Sequence, residues 1–117
     1  MKVIIAGSRT ISSYEEVKKA VSDSGFNITE VVSGHANGID KLGEQWAKEN
    51  NIPVKVFIPD WKSLGRSAGI QRNVEMGNYA DALIAIWDTK SRGTKHMINF
   101  MSSKPTYVRK CPPSTTT

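Results

Sequence analysis

The stretch Ala82-Leu83-Ile84-Ala85-Ile86-Trp87 is the longest uninterrupted apolar run in the sequence. Such a run is typical of a parallel strand buried on both faces, because helices cover both sides of a parallel sheet. A shorter apolar run over residues 2–6 is followed by Gly7-Ser8-Arg9, which indicates a buried strand entering a tight turn. We therefore predict two buried strands, one at the start of the chain and one in its last third.

Strands and helices alternate along nearly the whole chain. Further strands are predicted over residues 30–33, 54–58 and 106–108, the last at an edge of the sheet. Helices are predicted over residues 14–23, 38–50 and 70–78, and from residue 93 onward. The alternation predicts an α/β fold: one compact, Rossmann-like, doubly wound domain over residues 1–110, with helices on both faces of a mostly parallel sheet of about five strands.

Local signals mark the ends and inner faces of these helices. Ser12 and Ser13 each precede a glutamate by three residues, which is capping-box spacing, and Gly25 is expected to end the first helix. In the helix after the glycine-rich bend, Ile70, Val74 and Met76 are expected to face inward.

Composition restricts the class of protein. The 117 residues carry a net charge of +5, which permits an anionic partner but is equally compatible with a solvated basic surface. No apolar run approaches the roughly 18 residues of a membrane span, and Cys111 has no second cysteine to pair with. We therefore expect a cytoplasmic protein without membrane contact, and a disordered tail over residues 111–117.

The unusual residues concentrate in the segments that follow the predicted strands. In open parallel sheets, ligands bind beyond the carboxyl ends of the strands. The segments expected at that edge are residues 7–9, 33–40, 60–73 and 87–94. Fold topology and residue chemistry therefore predict the site at the same place.

Two of these segments have the composition of an anion site. Gly65-Arg66-Ser67-Ala68-Gly69 precedes Arg72 and Asn73, and Ser91-Arg92-Gly93-Thr94 stands at a predicted helix start. Helix-start N–H groups and guanidinium groups suit phosphate oxygens. The alternatives are arginines on a helix surface and a simple threonine cap. The candidate ligand- and phosphate-binding residues are Gly7, Ser8, Arg9, Gly34, His35, Gly38, Asp40, Arg66, Arg72, Asn73, Ser91, Gly93 and Thr94.

Catalytic and metal-binding chemistry is less evident. The sequence has no nucleophile elbow, Walker motif, His-Glu-x-x-His or cysteine pair, and it predicts no cofactor and no metal site. His35 has no neighbouring His, Cys or carboxylate cluster, and His96 is expected at the surface. Catalytic residues stay unassigned, with Arg72, Asp40 and Asp88 as candidates. Trp61 and Trp87 either stack on a base or close the core.

The ordered set of motifs resembles the YspA-like branch of the SLOG superfamily over about residues 2 to 108. The motifs are Ala6-Gly7-Ser8-Arg9, Ser33-Gly34 through Gly38 and Asp40, Gly65 through Gly69 with Arg72-Asn73 and Met76, Ala80 through Ile84, and Ser91-Arg92-Gly93-Thr94. The resemblance implies a Rossmann-like domain that senses, binds or processes a nucleotide-derived ligand. Many SLOG domains belong to bacterial or phage conflict systems.

Two more distant relatives imply other functions. The Lonely Guy phosphoribohydrolases cleave the base from a nucleoside monophosphate; their Gly-Thr aligns with Gly93-Thr94, but their catalytic glutamate falls on Met97. The likeness to the DNA-uptake protein DprA implies single-stranded nucleic-acid binding. The first hypothesis is therefore binding of a nucleotide-derived signalling ligand or second messenger. N-glycoside hydrolysis and nucleic-acid binding are the alternatives, and a homo-oligomer is possible.

Overall fold

The computed structural model describes residues 1–111, in which strands and helices alternate. The strands are β1 (Lys2–Gly7), β2 (Glu30–Ser33), β3 (Val54–Val56), β4 (Ala82–Trp87) and β5 (Thr106–Lys110). The helices are α1 (Tyr14–Ser24), α2 (Ile39–Glu49), α3 (Trp61–Leu64), α4 (Ala68–Tyr79) and α5 (Arg92–Phe100), and a 3-10 turn (Gly65–Ser67) joins α3 to α4.

The five strands form one parallel sheet in the order β3-β2-β1-β4-β5. β1 pairs with β4 from Val3 opposite Ala82 to Gly7 opposite Ile86. The chain adds β2 and β3 on one side of β1 and then β4 and β5 on the other, so the direction of winding reverses between β1 and β4. Ligands bind in the crevice at such a reversal. The predicted α/β fold with a parallel sheet is confirmed.

Both faces of the sheet are covered, which explains the continuous apolar runs. Val3 and Ile5 of β1 belong to one buried cluster, which also contains residues of α1 and α2. Ile4 and Ala6 belong to a second cluster with Met76 of α4, Met97 of α5 and Met101, which follows α5. Successive side chains of a strand point to opposite faces, so the middle residues of an interior strand are buried when helices cover both faces.

The helix ends agree only in part with the predicted caps. Gly25 ends α1 in the left-handed conformation with φ 69°, as predicted. Ser13 occupies the N-cap of α1, but its side chain makes no capping hydrogen bond. The backbone N–H of Glu16, which would donate to the Ser13 hydroxyl in a capping box, donates to the Ser13 carbonyl at 3.2 Å, and the Glu16 side chain forms an ion pair with Arg109 of β5.

The region between β3 and α4 differs most from the prediction. β3 ends at Val56, and the next residues lead into α3, which was not predicted. Asp60 caps α3 by accepting a hydrogen bond from the Ser63 N–H at 3.1 Å. Ile70 was expected to face inward but is 55% exposed, although it lies two turns before the buried Gly77 on the same side of α4, so the first turn of the helix is not covered there. Met76, one turn and a half later, is buried as predicted.

The pairing of β5 with β4 continues beyond the last residue of β5. The N–H of Cys111 donates to the carbonyl of Trp87 at 2.7 Å and so extends the pairing of β5 with β4. The rest of the predicted disordered tail lies outside the described residues. Across residues 1–111, none of the helices has both the length and the apolar character needed to cross a membrane.

Candidate functional site

A cavity of about 400 Å³ lies at the carboxyl ends of β1, β2 and β4, which we call the main cavity. Its lining contains eleven of the residues singled out in the sequence: Gly7, Arg9, Gly34, His35, Asp40, Trp61, Arg72, Asn73, Ser91, Gly93 and Thr94. It also contains residues that the sequence did not single out for the site: Ala6, Ala36, Asn37, Ile58, Pro59, Met76 and Met97. Because parallel strands end at one edge, residues far apart in sequence meet here.

Arg72 extends from α4 into the wall of the main cavity. One of its terminal guanidinium nitrogens donates to the Gly34 carbonyl at 3.0 Å. Its Nε is buried and has no hydrogen-bond partner among the described residues. Burial lowers the pKa of Arg72 from its usual value, Asp40 opposes that shift, and the positive charge of Arg9 adds to it. The cavity therefore holds two cationic side chains that repel each other.

Asp40 lies in the first turn of α2 and is only 5% exposed. Its two carboxylate oxygens accept the N–H groups of Gly7 and Ala36, each at 3.3 Å. Burial raises the pKa of Asp40 to about 6, against the lowering effects of these N–H groups and of Arg72. Asp40 thus ties the end of β1 to the loop after β2, and its pKa lies close to neutral pH.

Gly34 separates Asp40 from Arg72. A Cβ at this position would lie 2.9 Å from Asp40 Oδ2 and 3.0 Å from Arg72 Nε and Cζ. The carboxylate and the guanidinium therefore approach the same point from two sides without forming a direct ion pair. Only glycine leaves room for this arrangement.

The start of α5 forms another wall. Thr94 is 6% exposed, and its hydroxyl lies 3.2 Å from the hydroxyl of Ser91, the N-cap residue. Asn73 of α4 donates to the Gly93 carbonyl at 3.1 Å and so ties α4 to this helix start. The first N–H groups of a helix have no partner within the helix. Together with the two hydroxyls, they make this end of α5 suited to anionic oxygens.

His35 has one carboxylate partner, Glu44, that the sequence analysis did not identify. Its Nδ1 lies 2.8 Å from Glu44 Oε2, and the same oxygen accepts the Ser33 hydroxyl at 2.6 Å. Glu44 was missed because it lies nine residues further on. The signal was the spacing of four residues between Asp40 and Glu44, which puts both carboxylates on one face of α2. This contact orients the imidazole at the cavity.

Asp88 and Ser8 support the site from behind it. The Asp88 N–H donates to the Ser8 hydroxyl at 3.0 Å, and Asp88 accepts the N–H groups of Lys90 and Ser91 and the hydroxyl of Thr10. Burial alone would raise the pKa of Asp88, but these hydrogen bonds lower it to about 2. Neither Ser8 nor Asp88 lines the main cavity.

Three other predicted residues also stay outside the main cavity. Gly38 adopts φ 83°, and a Cβ there would lie 2.8 Å from the Ser8 carbonyl oxygen, so its role is to let two loops pack. Arg66 is exposed on the 3-10 turn. Trp87 donates from Nε1 to the Ser91 carbonyl at 3.0 Å and so supports the loop. Trp61, by contrast, lines the main cavity and is 55% exposed.

The environment of His96 differs from the prediction, and the described residues form no metal-binding group. His96 is half-buried, and its Nδ1 lies 3.3 Å from the side-chain nitrogen of Asn73, so it is not the free surface residue that was expected. Within residues 1–111, no three His, Cys, Asp or Glu side chains group in a way that would hold a metal ion.

A second depression adjoins the main cavity, and we call it the basic groove. It has a volume of about 620 Å³ and is lined by Arg9, Thr10, Asp88, Lys90, Ser91, Arg92 and Gly93. Arg9, Ser91 and Gly93 line both depressions. The start of α5 therefore stands between them.

Comparisons with known proteins find sequence similarity to one family and to a phage protein. The model of a family described as YspA, cpYpsA-related SLOG matches residues 1–63, which include β1, β2 and β3. The Gene 61 protein of Mycobacterium phage D29 is 32% identical, in a match that covers 81% of this chain and 83% of that protein. No solved structure matches the chain significantly.

Proposed function

Because this chain belongs to the YspA, cpYpsA-related SLOG family, we propose that it binds a nucleotide or nucleotide-derived ligand in the main cavity. The resemblance stated from the sequence motifs is confirmed by the family match. Membership suggests nucleotide-related binding or processing, and the finer proposal is that the protein senses or sequesters the intact ligand. A phage relative is compatible with such a role.

The charge balance of the main cavity carries this proposal. Arg9 and Arg72 both line it, and Asp40 is the one carboxylate among its described lining residues. A half-buried guanidinium without a directly paired carboxylate favours the binding of an anion that compensates its charge. We infer that a phosphate binds between Arg72 and the N–H groups at Gly93 and Thr94, where the helix dipole also favours negative charge.

The rest of the cavity suits an aromatic base. Met76 and Met97 give one part of the lining an apolar surface, and Ile58 and Trp61 line another part, where both are exposed. The volume of about 400 Å³ falls within the usual range for small-molecule sites. A ligand with one anionic end and one planar apolar end, as in a nucleotide, matches both parts.

N-glycoside hydrolysis of a nucleoside phosphate is the second candidate function, and Asp40 is the observation that favours it. Met97 lines the cavity where the phosphoribohydrolase family has its glutamate, so that carboxylate is lacking here. Asp40 is buried, lines the cavity and has a pKa of about 6, which suits a general acid or base near neutral pH. In this alternative, Asp40 would activate the water that attacks the sugar carbon.

Mass spectrometry of small molecules released by denaturing the purified protein tests both functions. An intact nucleotide that is present in wild type and lost in Arg72→Gln supports binding. Free base or ribose phosphate, produced when nucleotides are incubated with wild type but not with Asp40→Asn, supports hydrolysis. If no nucleotide is released and none binds by calorimetry, the proposal is wrong, and salt-dependent binding of single strands becomes the function to test.

A further inference from the structure

The imidazole of His35 is held in one orientation at the main cavity, which it lines. Its Nδ1 lies 2.8 Å and 3.1 Å from the two carboxylate oxygens of Glu44. The hydroxyl of Ser33, a fully buried residue, donates to the same carboxylate at 2.6 Å and accepts the backbone N–H of His35 at 3.0 Å. The three residues therefore form a closed ring of hydrogen bonds, in which the carboxylate is oriented from the core and the imidazole is oriented by the carboxylate.

These contacts determine which nitrogen of the imidazole carries the hydrogen. An ionised carboxylate accepts hydrogen bonds and donates none, so Nδ1 of His35 must be the donor to Glu44. In a neutral imidazole the other nitrogen, Nε2, is then an acceptor, and it has no hydrogen-bond partner within residues 1–111. The carboxylate of Asp40, by contrast, already accepts the N–H groups of Gly7 and Ala36. His35 thus provides the main cavity with an acceptor that the protein itself does not use.

The backbone at His35 gives a second reason to assign a role to its side chain. His35 adopts φ 60°, in the left-handed region that favours glycine. A glycine would take this conformation at lower cost, so the backbone does not account for a histidine here. Residues held in such conformations cluster at ligand-binding sites. The imidazole is therefore retained in a costly conformation at the wall of a cavity.

The position of His35 relative to Arg72 indicates which part of a nucleotide it meets. His35 directly follows Gly34, whose carbonyl accepts a hydrogen bond from the Arg72 guanidinium at 3.0 Å. Arg72 is the proposed phosphate contact, and the group attached to the phosphate of a nucleotide is the sugar, whose hydroxyls are hydrogen-bond donors. A phosphate oxygen without a hydrogen cannot donate to Nε2, whereas a sugar hydroxyl can.

We infer that Nε2 of His35 accepts a hydrogen bond from a sugar hydroxyl of the bound nucleotide, and that Glu44 is the positioning residue that keeps Nε2 an acceptor. The inference rests on the proposed function, since it assigns a specificity-determining residue within the same cavity. It makes His35 the side chain that distinguishes a ribonucleotide from an analogue that lacks one hydroxyl.

Nitrogen NMR of the imidazole rings tests the role of Glu44 without any ligand. The chain contains two histidines, so a spectrum of His96→Gln assigns the signals of His35. At pH 8, His35 of the wild type is expected in the neutral form with hydrogen on Nδ1. Glu44→Gln should lower the fraction of that form, whereas Glu75→Gln, which removes an exposed carboxylate on α4, should leave it unchanged. A wild-type ring with hydrogen on Nε2, or on both nitrogens, overturns the inference.

Titration calorimetry tests the contact with the sugar. The probe is whichever of AMP, GMP, CMP and UMP binds the wild type most tightly, compared with its 2′-deoxy and 3′-deoxy analogues. Because His35 is 46% exposed, we expect one analogue to bind about tenfold more weakly, as for one lost hydrogen bond. His35→Ala and His35→Gly should bind the ribonucleotide as weakly as the wild type binds that analogue. Glu44→Gln should reduce the preference, and Glu75→Gln should retain it.

The outcomes separate this inference from the proposed function. If none of the four ribonucleotides binds, the two fail together. If one binds but the wild type does not distinguish it from either deoxy analogue, or if the preference survives in both His35 variants, only the inference is overturned. Thermal unfolding verifies that the variants fold, and His35→Gly is included because glycine accommodates φ 60°.

Discussion

Asp40→Asn is expected to stabilise the protein at neutral pH, although it alters a buried and hydrogen-bonded side chain. The pKa of Asp40 rises from 3.8 to about 6 on folding, and each pKa unit corresponds to about 1.4 kcal/mol. Keeping the carboxylate charged in the folded state therefore costs about 3 kcal/mol. The asparagine NH₂ would face one of the two N–H donors, which costs about 1 kcal/mol. The net gain is about 2 kcal/mol.

The pH dependence tests the cause. Since the folded-state pKa is the higher one, the wild-type protein loses stability relative to the variant as the pH rises from below 3.8 to above about 6. Urea unfolding at several pH values measures this difference. At low pH the order should reverse, because neutral Asp40 then has no charge penalty and the variant still lacks one acceptor.

Glu75→Gln is the matched control, because Glu75 is an exposed carboxylate on α4. Its stability should remain parallel to wild type across the same pH range. If the Asp40→Asn profile is also parallel to wild type, the carboxylate is not held in a costly charged state, and the electrostatic account of the main cavity is wrong.

Three further substitutions test other parts of the site. Gly34→Ala places a methyl group 2.9 Å from Asp40 Oδ2 and 3.0 Å from Arg72 Nε, so we expect nucleotide affinity by calorimetry to fall about tenfold or more; unchanged affinity would contradict the tight approach. Arg72→Gln should weaken binding by a similar factor, whereas Arg66→Gln, which is exposed and outside both depressions, should leave it within about twofold; equal losses would place the phosphate elsewhere. Asp88→Asn should lower the free energy of unfolding at pH 7 by about 2 kcal/mol. Because the pKa of Asp88 falls to about 2 on folding, that difference should close as the pH drops from 3.8 toward 2, and a constant difference in acid unfolding curves would refute the cause.

The sheet and the position of the site could be predicted because they depend on local patterns. Residues of an interior parallel strand are apolar on both faces, so the Ala82–Trp87 run was sufficient to identify β4. The carboxyl ends of parallel strands meet at one edge, so Gly7 and Gly34, which follow or end neighbouring strands, were expected to lie near each other. No contact between side chains was needed for either inference.

The features that could not be predicted depend on which helix turns are covered and on which hydrogen-bond partners the side chains find. The alternation of elements did not reveal α3, and the exposure of Arg66 in the 3-10 turn and of Ile70 in the first turn of α4 depends on packing that no local pattern specifies. Asp88 turned out to accept hydrogen bonds from its own loop, because its neighbours present N–H groups at close range. The contact between Glu44 and His35 depends on how α2 is oriented relative to the loop after β2, and the sequence does not specify that orientation.

The pairing of β1 with β4 has a consequence for how the chain folds. Val3 lies opposite Ala82, so the innermost strand pair forms only after most of the chain has been synthesised. Long-range pairing of this kind delays folding, because a large loop must close before any contact compensates its entropy. The matched family segment, residues 1–63, contains β1 but not β4. That segment would therefore leave β1 with an open edge and without the helices of its second face. A chain truncated after residue 63 should form no cooperative folding unit, and assembly of the site requires the chain through α5.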